Sequence, residues 1–173
     1  MKITKSLILC TILLTITCCC IFPSRFESSN PFYISSGGFD FLRLPLIEPY
    51  EVIKPDEGNE WFLDLHLPPS EEVSYYIVIN EVEKIAIENE TILVYTSYIK
   101  ENAEAMGHKE LFWFVIVPEA GIEKGFETEE EFLDYTQEIG IDTINWFDPL
   151  TAFKQFEKTG CLDWFPDCQL LDE

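Results

Sequence analysis

Histidine is almost missing from this chain, with only His66 and His108 among 173 residues. That scarcity narrows the chemistry, because a histidine oriented by a carboxylate is the usual base of a nucleophilic triad, and histidine is the commonest metal ligand. Asp64 and His66 are spaced to share one face of a strand. No Gly-x-Ser-x-Gly elbow accompanies them and no two further metal ligands lie near, so a solvated strand face is expected, with no metal. Basic residues are scarce too: 11 Lys and Arg stand against 32 Asp and Glu, for a formal charge of −21. A surface this acidic repels phosphate, which argues against nucleic-acid or anionic-lipid binding and leaves basic partners, divalent cations or plain solubility. Glycine is thin, at 8 residues, and Gly37-Gly38 is an isolated pair rather than a phosphate-cradling loop. Asp56-Glu57-Gly58-Asn59-Glu60 lacks the alternating ligands of an EF-hand and reads as a turn. No cofactor and no catalytic residue is therefore expected from a motif. Carboxylates are so many that a catalytic pair has no address in the sequence, because spacing along the chain does not fix their separation in space.

What the chain does have begins at its start. Lys2 and Lys5 precede an uncharged apolar run from Leu7 to Phe22 that contains Cys18-Cys19-Cys20. A short basic start followed by such a run is the layout of a secretory signal. A membrane-spanning helix needs roughly 20 apolar residues, so the run is short for a span, although tilt or bilayer thinning would let it serve as an uncleaved anchor. The cysteines resemble the end of a bacterial lipoprotein signal, where cleavage precedes a cysteine that is then acylated. Cys19 has an aliphatic residue, Ile16, three places before it, and Cys18 has the hydroxyl residue Thr17 directly before it. The family usually carries an aliphatic residue at the first position and Gly, Ala or Ser at the second, so neither cysteine meets both conditions. The chain thus resembles small exported bacterial lipoproteins, and the resemblance is confined to the signal. It implies attachment of palmitate-type chains at Cys18 or Cys19 and a location at the cell envelope, tethered to a membrane. Plain secretion and an uncleaved anchor are the alternatives.

Residues 1–20 are expected to form the signal and residues 21–38, rich in Ser, Asn, Gly and Pro, a tether. Residues 39–173 are one domain's worth of chain, long enough to build a core without staples. Removing Lys2 and Lys5, two positive charges, with the signal takes the net charge from −21 to −23. Aromatic content of 14% and apolar content of 47% argue against disorder.

Within the domain, short β-favouring runs come first: 39–44, 50–53, 61–67, 74–79, 83–88, 91–99 and 111–117. Trp61, Leu63, Leu65 and Leu67 alternate with Phe62, Asp64 and His66. Asn89-Glu90 suits a tight hairpin, because Asn tolerates positive φ. Asn89-Glu90-Thr91 also matches a glycosylation acceptor, relevant only in a eukaryotic secretory route. Leu111 to Val117 is apolar throughout, as in a strand covered on both faces. The period then changes. Thr128 with Glu131 forms a capping box ahead of Phe132, Leu133, Thr136 and Ile139, and Gly140 stops that helix. Asp148, Pro149 and the stripe Leu150, Phe153 and Phe156 mark a second helix, stopped by Gly160. The expected fold is α+β: an antiparallel sheet of about five to seven strands followed by two C-terminal helices packed on one face.

Cys161 and Cys168 remain outside the signal. Two cysteines this close in an exported protein are expected to form a disulfide, with two free thiols as the alternative. Each of the four tryptophans is followed by phenylalanine, at 61, 113, 146 and 164. Core packing on the two sides of a strand explains such pairs most simply. An exposed aromatic binding patch is the other reading, and Trp164-Phe165, between the cysteines, is its best candidate.

The function expected from these features is binding rather than catalysis: a small acidic exported protein, of inhibitor or immunity type in its sharpest form, that engages a basic protein partner. The alternative is a carboxylate-dependent hydrolase acting on envelope or extracellular carbohydrate.

Overall fold

The computed structural model describes residues 28–66, 78–99, 109–166 and 168. Cys18, Cys19, the apolar N-terminal run and His108 lie outside the described residues.

Among the described residues, eight strands form two antiparallel sheets of four, each a meander in chain order. The first holds β1 (Phe41–Pro45), β2 (Glu51–Pro55), β3 (Phe62–Asp64) and β4 (Val78–Ile79). The second holds β5 (Val82–Glu88), β6 (Thr91–Thr96), β7 (Trp113–Val117) and β8 (Ile122–Phe126). Two helices follow, α1 (Glu129–Glu138) and α2 (Pro149–Thr159). The α+β expectation holds. The arrangement differs in two respects: the strands divide between two sheets, and the helices do not share a face.

The division falls at Asn80-Glu81, between β4 and β5. The Thr96 hydroxyl donates to the Asn80 carbonyl at 2.6 Å, and the Val82 N–H donates to the Trp61 carbonyl at 2.9 Å. These bonds turn the chain from one sheet into the other. Strand alternation then decides where each helix lies, because neighbouring side chains on β6 point to opposite faces. Ile92 and Val94 join Leu44, Val52 and Leu63 of the first sheet, together with Phe153 and Phe156 of α2, in the main core. Leu93 joins Val115, Phe126 and Phe132 of α1 in a second core. The second sheet is therefore covered on both faces, one by the first sheet and α2, the other by α1. The unbroken apolar run in β7 follows from this, with Phe114 and Ile116 serving one core and Val115 the other.

The helix boundaries match the sequence expectation. Thr128 caps α1 by accepting the Glu131 N–H at 3.3 Å, and Asp148 caps α2 by accepting the Thr151 N–H at 2.8 Å. Gly160 ends α2 at φ 73°. The buried stripes are narrower than expected, since Leu133, Ile139 and Leu150 are exposed. Phe132 and Thr136 carry the α1 contact, and Ala152, Phe153 and Phe156 carry that of α2.

Strand β8 carries no strong signal of its own, because Glu123, Lys124 and Gly125 resemble a loop. Packing explains the glycine: a β-carbon at Gly125 would meet Leu111 Cδ1 at 2.5 Å. The second half of the expected tether belongs to the domain. Asn30 caps a short 3-10 turn, Pro31–Tyr33, that buries Tyr33 against Phe165 with ring centroids 4.7 Å apart. Arg43 holds the next stretch by donating to the carbonyls of Phe32 and Ser35 and by pairing with Glu51. Phe39 is fully exposed and β1 begins two residues later, at Phe41.

Candidate functional site

Among the described residues, a cleft of about 1100 Å³ is assembled from segments far apart in the chain. One wall is the β5–β6 hairpin, which closes with Glu88 opposite Thr91 and a two-residue loop. Asn89 and Glu90 sit at φ 49° and 59°, the geometry that matches the twist of paired strands. A second wall is the segment 144–147. Phe147 exchanges two backbone hydrogen bonds with Ile85, at 2.8 and 3.0 Å, which also covers the outer edge of β5. Glu88 fixes the same segment by accepting both the backbone and side-chain N–H of Asn145, at 2.9 and 2.8 Å.

The third wall is the loop closed by a disulfide between Cys161 and Cys168, whose Cα atoms lie 5.7 Å apart. The expected pairing is present. Inside the loop, Phe165 is buried in the main core, edge-on to Phe156 at 5.3 Å. Phe165 therefore anchors the loop and presents no surface. Trp164 is half-buried, donates its indole N–H to the Pro45 carbonyl at 3.1 Å and faces Phe147 at 5.6 Å. Of the expected aromatic patch, only Trp164 reaches a ligand-accessible surface, and Trp146 and Phe147 join it on the cleft wall. Sequence reasoning missed these two as partners of Trp164, although the repeated Trp-Phe pair was the available signal.

Charge on the cleft is of one sign. Glu88, Glu90, Glu119 and Asp163 line it, and among the described residues no Lys or Arg does. Glu88 is engaged by Asn145, whereas Glu90, Glu119 and Asp163 form no side-chain hydrogen bond or ion pair with another described residue. Tyr33 also lines it, and burial raises its pKa above the ordinary 10.0. A second cleft, of about 830 Å³, lies across the Trp146-Phe147 strut. It mixes Lys54 and Lys84 with Glu60, Glu81, Glu83 and Asp148, so its acidic charge is partly offset.

Asp64 and His66 are both exposed, and no hydrogen bond joins their side chains. The backbone N–H of His66 instead donates to Glu123 of β8 at 2.7 Å, and Glu123 also accepts the Tyr50 hydroxyl at 2.8 Å. This clamp ties the two sheets together and was not legible in the sequence. Among the described residues, no three His, Cys, Asp or Glu side chains converge as metal ligands, and no helix is long and apolar enough to cross a membrane. Comparisons of the chain with protein families, with curated proteins and with solved structures return no match.

Proposed function

We propose that this chain is an exported binding protein, held at a membrane by its N-terminal segment, that engages a basic protein partner through the acid-rimmed aromatic cleft. One observation carries the reading: Glu90, Glu119 and Asp163, with no side-chain partner among the described residues, line the same cleft as Trp146, Phe147 and Trp164, and no described Lys or Arg lines it. Aromatic rings and carboxylates together suit a guanidinium or ammonium group, because the ring face attracts the cation by roughly 0.5 to 2 kcal/mol and the carboxylate supplies a charged acceptor. The domain uses this chemistry internally: Lys124 Nζ sits 4.2 Å from the Tyr135 ring centroid, and the Arg43 guanidinium 4.6 Å from that of Phe32. A net charge of −21 adds long-range attraction, which raises the rate of encounter with basic proteins. An inhibitor or immunity role is the sharpest form of this reading.

The carbohydrate hydrolase needs a desolvated carboxylate to act as general acid near neutral pH. Every described Asp and Glu keeps solvent contact, so the geometry favours binding. The test compares the full chain with its Glu119→Gln/Asp163→Asn variant as bait for envelope extract, at low and physiological salt. Retention of one basic protein by the parent and its loss from the variant supports the reading. Equal retention by both, or no basic protein at either salt, overturns it.

A further inference from the structure

Glu90 occupies the second position of the two-residue hairpin loop, where a left-handed conformation normally selects glycine. Asn89, at the first position, tolerates positive φ, and its side-chain amide donates to the Gly140 carbonyl at 3.4 Å. Glu90 has neither excuse. A β-carbon in that conformation weakens the folding equilibrium by about a factor of ten. Its carboxylate makes no hydrogen bond or ion pair with another described residue. It lines the same cleft as Trp146, Phe147 and Trp164, and among the described residues no Lys or Arg does so.

Resting on the binding reading above, we infer that Glu90 is the specificity-determining residue of the cleft, held by its strained turn to accept the guanidinium of a partner arginine against the tryptophan wall. The planar fork of a guanidinium suits this site, because it can give two parallel bonds to one carboxylate while its face lies on an aromatic ring. Glycine at this position would build a better turn and an emptier site.

The probe is a dye-labelled nona-arginine peptide titrated into the detergent-solubilised full chain at 150 mM salt, followed by anisotropy, with nona-lysine in parallel. Glu57→Gln, in the β2–β3 turn outside the cleft, removes the same charge and serves as control. Glu90→Gly is expected to raise the melting temperature by about 3 °C and to weaken nona-arginine binding about fivefold relative to Glu57→Gln. Glu90→Gln is expected to weaken binding equally with no gain in melting temperature, and either change should narrow the preference for arginine over lysine. If both Glu90 variants bind like Glu57→Gln while Glu119→Gln/Asp163→Asn binds more weakly, the role of Glu90 is overturned and the cleft reading stands. If no cleft variant differs from Glu57→Gln, both are overturned. A melting temperature lowered by Glu90→Gly would refute the strain on which the inference depends.

Discussion

Breaking the Cys161–Cys168 bridge should loosen one wall of the cleft without dismantling the fold. The bridge closes a short loop, with a sequence separation of 7. Constraining a loop of that length in the unfolded chain is worth roughly 2.5 kcal/mol by chain entropy. The folded loop has other attachments: Phe165 and Leu162 are buried in the main core, and the Trp164 indole is bonded to Pro45. The loss should therefore stay near the entropic value. For a domain of this size it corresponds to a fall in melting temperature of roughly 8 °C. The assay is thermal unfolding followed by circular dichroism, with and without reductant, beside Cys161→Ala/Cys168→Ala. Because Asp163 and Trp164 ride on the loop, nona-arginine affinity should fall in the same samples. An oxidised chain that melts within 2 °C of the reduced one would refute the reasoning, since the loop would then be held entirely by its packing.

Phe132→Ala should destabilise the domain by about 3 to 5 kcal/mol, seen as a lower urea midpoint. Phe132 is fully buried and stacks on Trp113 at 5.1 Å. Tyr50 sets an alkaline limit: burial first, then its bond to Glu123, raises its pKa above the ordinary 10.0. The unfolded chain releases that proton first, so stability present below about pH 10 falls as pH rises beyond it. Tyr50→Phe should make that decline shallower while costing about 1 kcal/mol at pH 8, and an unchanged slope in urea titrations from pH 8 to 11 would count against the assignment. Mass spectrometry of the mature N-terminus should find an acylated Cys18 or Cys19, whereas an intact Met1 would sink the lipid anchor.

Much of the local structure was legible because its causes are local. The Thr128 and Asp148 caps, the Gly160 stop, the Asn89-Glu90 turn and the apolar run of β7 each depend on a few adjacent residues. The exposed Leu133, Ile139 and Leu150 show the limit: a helical period marks a stripe but not how wide a face its neighbour covers. Strand β8 escaped notice because Leu111, against which Gly125 packs, lies on another segment. Glu123 was invisible as a clamp for the same reason, since Tyr50 and His66 meet it only across two sheets.

The sequence by itself determined the acidity, the α+β class, the caps and turns, and the pairing of two late cysteines, because composition and short-range pattern act before any long contact forms. Only the tertiary structure decided that the strands divide at Asn80-Glu81, that Trp164 is accessible while Phe165 is core, and that Glu90, Glu119 and Asp163 stand around one aromatic cleft. Those outcomes depend on which distant segments bury one another. Side chains more than seventy positions apart acquire a common chemistry only once that burial has brought them together.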